Sequence, residues 1–175
     1  MRAVGLLCAA ALALSGCGLR PLYSGGTGGT VQSLLASVQV APIEGQSGWL
    51  VTNALRDRLH GGDTSPRYRL EIQLDDSIAG LGVRRDDSVA RERRTLRARY
   101  QLVDLASGAV VLDATAGSDA GIDVVGSEYA TITAEKTALE RLSGIVADQI
   151  VARVARYAQS GSVPPAAAPA GSAGQ

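Results

Sequence analysis

At 175 residues, with 17 basic and 17 acidic side chains and no net formal charge, the chain has room for one domain with tails and no global field that would select a polyanionic partner. Phenylalanine is absent and aromatic residues make up only 3% of the chain, so any core has to be built from Leu, Val, Ile and Ala. Two cysteines and a single histidine leave little material for disulfide, metal or thiol chemistry.

The N-terminus reads as an export and lipid-attachment signal. Arg2 supplies a positive n-region, and Ala3 to Leu14 is an apolar run of roughly twelve residues, too short to span a bilayer, which takes about 20. Leu14-Ser15-Gly16-Cys17 then has the lipobox order: Leu, a small residue, Gly, and a cysteine whose thiol takes a diacylglycerol. This predicts cleavage before Cys17 and acylation of Cys17. Because two or more acyl chains hold a protein stably to a leaflet, the mature chain is expected to work at a membrane surface. Gly18 stands where an Asp would mark retention in the inner membrane, so the expected destination is the outer membrane, on its periplasmic side. Cys8 leaves with the signal and Cys17 carries lipid, so no disulfide is expected despite an oxidising compartment.

Composition divides the rest. Residues 1–16 are the signal peptide, and 17–30, with Ser-Gly-Gly-Thr-Gly-Gly-Thr at its end, the lipidated N-terminus and a flexible linker. Residues 31–158 form the folded domain, and 159–175, almost wholly Ala, Pro, Gly and Ser, a tail that buries too little to order itself.

Within the domain, Val38 to Ile43 alternates and contains Pro42, as an edge or terminal strand does. Ser47 precedes a predicted helix over Trp49 to His60 with Val51, Ala54, Leu55 and Leu59 on one face, ended by Gly61-Gly62. From Arg67 the period becomes two, with Tyr68, Leu70, Ile72 and Leu74 inward. Asp75 to Ser88 is a long hairpin tip that either extends the ladder or moves freely. A second strand runs from about Val89 to Leu105, with Leu96, Ala98, Tyr100 and Leu102 inward and Arg91, Arg93, Thr95, Arg97, Arg99 and Gln101 outward. Ala106-Ser107-Gly108 turns into a third strand over 109–117, with Val110, Leu112, Ala114 and Ala116 sharing a face. Ser127 is placed as the N-cap of a helix of about thirty residues whose apolar positions are Ala138, Leu142, Ile145, Val146, Ile150, Val154 and Tyr157. The expected fold is α+β: a two-layer sandwich of a mostly antiparallel sheet with two helices on one face, in the order β-α-β-β-β-α.

Two stretches carry a family resemblance. Cys17-Gly-Leu-Arg-Pro-Leu-Tyr23 resembles the Cys-Gly-Phe-Arg-Pro-Leu-Tyr start of the LPS-assembly lipoproteins, the LptE family, with Leu19 in place of Phe. Ser127 to Lys136 together with Ala147-Asp-Gln-Ile150 is similar to that family's last helix. The resemblance implies a lipoprotein in complex with the outer-membrane barrel LptD, sitting inside it as a plug and helping lipopolysaccharide reach the cell surface.

Arg91, Arg93, Arg97 and Arg99 are the candidate ligand-binding residues. A row of guanidinium groups matches the phosphates that lipopolysaccharide presents, and it equally makes a solvated face with cross-strand partners such as Glu71. Both readings stand at this level. Nucleic acid is excluded as a partner by the absence of an aromatic platform and of net basic charge. Catalysis is not expected. His60 lies at a helix end, Asp75-Asp76 and Asp86-Asp87 are adjacent pairs that face apart when extended, and Gly80-Leu-Gly82 lacks the strand-to-helix setting of a phosphate loop. No metal or other cofactor is implied. Two other functions remain in view: an auxiliary lipoprotein of an ABC-type transporter and, disfavoured by this inventory, a lipid-anchored hydrolase.

Overall fold

In the computed structural model, residues 29–59, 66–83, 89–124 and 126–160 are described. The expected signal peptide, Cys17, His60, Gly61-Gly62, Asp86-Asp87 and residues 161–175 lie outside them. The elements in chain order are α1 (Thr30–Ala36), β1 (Val38–Val40), α2 (Gly45–Leu59), β2 (Tyr68–Val83), β3 (Val89–Asp104), β4 (Val110–Asp123) and α3 (Glu128–Gln159). The sheet order is β1-β2-β3-β4, with β1 parallel to β2 and the other pairs antiparallel. This is the expected α+β arrangement with one addition, the short helix α1, whose Val31, Leu34 and Leu35 are buried.

Periodicity placed the core well. Tyr68, Leu70, Leu96, Ala98, Tyr100 and Leu102 bury one sheet face against Val51, Leu55 and Leu59 of α2 and Leu142, Val146, Ile150 and Val154 of α3. Among the described residues no layer covers the other sheet face, which carries the polar residues of the alternation. α2 and α3 are joined at their surface by Arg58, whose Nε and Nη2 donate to Asp148 at 2.5 and 3.2 Å.

Several boundaries differ from the expectation for identifiable reasons. Of the two readings of the hairpin tip, the ladder extends: β2–β3 pairing runs on past Leu74 to Val83 opposite Val89. β4 likewise runs past Gly117 to Asp123. Val110 is exposed because the register slips between Leu102 and Val103, so that Leu112 faces Leu102 while Val110 faces Val103. Ile145 sits at the margin of the buried face of α3 and stays partly exposed. α2 begins at Gly45, two residues before Ser47, with Gly45 itself at φ +80°. Ser127 does occupy the N-cap of α3, but its side chain makes no capping bond; its carbonyl accepts from Thr131 N at 3.1 Å.

The turn after β3 is held by Asp104, whose Oδ1 accepts from Ala106 N (2.8 Å) and Ser107 N (3.2 Å), while Gly108 takes φ +70°. Beside it the Arg67 guanidinium lies 5.2 Å over the Tyr68 ring. The Tyr68 hydroxyl is buried and has no hydrogen-bond partner among the described residues. An unmet buried hydroxyl costs about 1–3 kcal/mol. Tyr68→Phe, which keeps the ring and its packing, is therefore expected to leave stability unchanged or raise it by about 1 kcal/mol in urea unfolding; a loss above that size would place a partner on the hydroxyl.

Candidate functional site

The uncovered face of the sheet is an alternation of charges. Arg91, Arg93, Arg97 and Arg99 do stand on it together, exposed, at every second position of β3 apart from Thr95. Their partners come from the neighbouring strand. Arg91 Nε meets Asp123 at 3.0 Å, Arg93 Nε lies 3.7 Å from Asp119, and Arg99 Nη2 donates to Asp113 at 3.1 Å. Glu71 does not serve the row, since it is engaged by Arg69 at 2.7 Å on its own strand. The reason is register. Asp123 is directly opposite Arg91, while Asp119 and Asp113 face Thr95 and Gln101, one step diagonal to Arg93 and Arg99. Exposed pairs of this kind contribute little to stability, so they relieve repulsion along the row without fixing it against a better ligand.

Arg97 differs from its neighbours. On β4 it faces Gly117 and on β2 it faces Asp75, with which it makes no ion pair; among the described residues its guanidinium has no hydrogen bond either. A Cβ at Gly117 would lie 3.2 Å from both Arg97 Cγ and Leu96 O, so the glycine is what makes room there. The result is a depression of about 510 Å³ walled by Gln73, Asp75, Arg97, Arg99 and Thr115, floored by Gly117, with Gln149 of α3 at its rim. An uncommitted guanidinium beside an amide and a hydroxyl can hold a phosphate oxygen together with neighbouring sugar hydroxyls. Among the described residues no three His, Cys, Asp or Glu side chains gather to hold a metal. Asp75 and Asp76, adjacent in β2, point to opposite faces, and Gly80-Leu-Gly82 is strand.

Hydrogen bonds from Arg99 and Gln101 hold the Asp113 carboxyl below the usual carboxylate range, and a hydrogen bond from Arg58 does the same for Asp148. A carboxyl depressed in the folded state adds stability above its unfolded value of about 3.9, and that stability is lost as pH falls through the lower folded value. The unfolding midpoint is thus expected to be flat from about pH 7 to 5 and to drop below about pH 4. Arg58→Ala should shrink the acid-sensitive part.

The inward phase of the same strands holds a charge pair that the outward row conceals. Arg94, between Leu96 and Glu92 on the inner side of β3, donates through Nε and Nη2 to Asp76 at 2.9 and 2.7 Å and through Nη1 to the Glu135 carbonyl of α3 at 3.1 Å. Its side chain is 13% exposed and that of Asp76 20%. The Asp76 hydrogen bond raises the Arg94 pKa against the opposing cost of burial. This pair fastens the far end of the β2–β3 hairpin to α3. The signal was present in the sequence: Asp76 continues the inward phase of Leu70, Ile72 and Leu74, and Arg94 that of Leu96, so opposite charges fall on the covered face of adjacent strands.

The fold is similar to those of several solved lipoproteins. A lipoprotein from Caulobacter crescentus CB15 is 22% identical with a TM-score of 0.62, over 75% of this chain and 98% of that one. Lipoprotein B of Nitrosomonas europaea is 13% identical at 0.55, over 71% and 83%. Rare lipoprotein B of Shewanella oneidensis is 12% identical at 0.54, over 70% and 95%. At these identities the likeness is one of fold. No curated protein sequence matches the chain. The family model described as LptE, lipopolysaccharide-assembly, matches residues 35–154, which takes in every strand and nearly all of α3. The chain belongs to the LptE family.

Proposed function

We propose that this protein is acylated at Cys17, is held at the periplasmic side of the outer membrane, and acts with the barrel LptD, as its plug, in bringing lipopolysaccharide to the cell surface. The observation that carries this reading is the family match across residues 35–154. Among the described residues no helix is long and apolar enough to cross a membrane, so attachment in this reading falls to the lipid on Cys17. The open sheet face, with Arg97 uncommitted beside its depression, supplies the phosphate contacts, and the two-layer build leaves that face available to a ligand or a lumen wall. Depleting the protein is expected to stop newly made lipopolysaccharide from reaching the surface; undiminished arrival would overturn the proposal.

The arginines give a finer test. Changing Arg97 and Arg99 together to Ala should leave folding intact, since both side chains are exposed, and weaken binding of purified lipopolysaccharide by about threefold to tenfold at low salt. The gap should close at high salt as the contacts are screened. Arg97→Ala alone should account for most of it, because Arg99 has Asp113 to return to. Equal binding by wild type and double variant at every salt concentration would assign the row to a structural, solvated face.

A further inference from the structure

Among the described residues β4 is the last strand of the sheet, and its far side carries backbone groups that no strand receives. Which groups these are is fixed at Gly117, whose N–H donates to Gln149 Oε1 at 3.0 Å and whose carbonyl accepts from Gln149 Nε2 at 3.3 Å. A side-chain amide offers the same acceptor and donor as a peptide unit, so Gln149 fills this one position as a neighbouring strand would. By the two-residue repeat of a strand, Asp119, Gly121 and Asp123 present their N–H and C=O on that same side. None of the three has a backbone partner there among the described residues. A free edge of this length is ordinarily blunted. Beyond Gln149, among the described residues, only the paired charges of Asp119 and Asp123 guard it.

Beyond Gln149 the edge faces a trough of about 690 Å³ between Gly121–Asp123 and the first half of α3. Its helical wall is made of small residues, chiefly Ala130, Thr133, Ala134 and Thr137. Both threonine hydroxyls donate to helix carbonyls four residues back at 2.9 Å, so they ask nothing of an occupant. At the mouth Tyr129 is 81% exposed, and Ile132, one turn further along α3, is 56% exposed, apolar surface that the described residues leave uncovered. Asp119 and Asp123 would repel an acidic partner, but Arg93 and Arg91 already neutralise them. Arg141, also on the trough wall, is exposed and has no ion pair among the described residues.

A strand edge beside a helix with a groove between them is the geometry in which an extended segment binds by main-chain pairing and is selected by its alternate side chains. An acyl chain would fill the trough but leave the edge donors and acceptors unmet, and a helix cannot reach them. We propose that the β4 edge from Asp119 to Asp123 receives an extended segment of the outer-membrane protein with which this lipoprotein assembles, small side chains lying over Ala130 and Ala134 and an acidic group meeting Arg141. The identity of the partner rests on the functional reading above; the mode of binding rests on the edge and the trough.

The test is hydrogen exchange of the full-length lipoprotein, free and in the complex purified from outer membranes. Amides of Asp119, Gly121 and Asp123 are expected to slow by about a hundredfold in the complex, a local effect that leaves Thr115, on the other side of Gln149, unchanged. Gly121→Pro removes an outward N–H that the β3 ladder does not use, at a site where a Cβ would meet nothing within 4 Å. It should reduce recovery of the partner about tenfold, whereas Gly121→Ala, which keeps the N–H, should recover it fully. The exchange measurement stands without the variants should Gly121→Pro fold poorly. A complex in which these three amides exchange as in the free protein overturns the inference and leaves the functional reading standing. Recovery of no outer-membrane protein with the wild type overturns both. Slowing of the same amides by lipopolysaccharide alone assigns the trough to acyl chains and overturns the inference.

Discussion

Gly48→Ala is expected to destabilise the domain by about 2–3 kcal/mol even though alanine is the better helix former by about 1 kcal/mol. Gly48 is buried in the first turn of α2, and a Cβ there would lie 2.6 Å from the Ile43 carbonyl oxygen, 2.8 Å from its carbon and 2.9 Å from its Cγ2. Two of these are backbone atoms, fixed by a short connection that leaves β1 at Val40, passes Pro42 and enters α2 at Gly45. They cannot swing aside as a flexible side chain would. Relief requires α2 to shift, and α2 carries the fully buried Val51 and Leu55 on the same rigid body. Gly144→Ala on α3 is the matched control, since its Cβ would meet only Arg58 Nη2 at an ordinary 3.7 Å; it should gain up to about 1 kcal/mol from helix propensity. Urea unfolding of the two variants, read from the midpoint at unchanged slope, checks both.

Arg94→Ala should cost a similar or larger amount, about 3 kcal/mol, whereas Arg97→Ala three residues away should cost under about 0.5 kcal/mol. The side chains share a strand and a charge, so the contrast isolates environment. Truncating Arg94 strands Asp76, which loses both hydrogen bonds while 20% exposed, and frees the Glu135 carbonyl of α3. Removing one member of a sheltered pair leaves an uncompensated charge; removing both removes the charge as well. Arg94→Met combined with Asp76→Leu is therefore expected to recover most of the loss. A double variant as unstable as Arg94→Ala alone would locate the effect in packing of the arginine stem instead.

The core was legible because β2, β3 and α3 obey a single period over many residues, and a repeat sustained through Tyr68 to Leu74 or Leu96 to Leu102 admits only one buried face. α1 escaped because seven residues after a glycine-rich stretch are too few to establish a helical repeat. The upper hairpin was ambiguous because its inward positions include Asp76 and Arg94, polar residues that satisfy each other only once the strands are paired. The arginine row was visible by parity, but its countercharges were not. Asp113, Asp119 and Asp123 belong to a different strand, and only the register of β3 on β4 brings them beside it and leaves Arg97 opposite a glycine. Gln149 at the β4 edge could not be read at all, since nothing local links a helix side chain to a strand thirty-two positions earlier.

What travels with the protein when it is taken from the membrane tests its proposed role most directly. Affinity purification of the tagged full-length chain from solubilised membranes, with the bound proteins identified and their amounts compared, is expected to return an outer-membrane barrel in equal amount to the lipoprotein. Recovery of an inner-membrane ABC-type transporter in its place, or of the lipoprotein alone, would contradict that role.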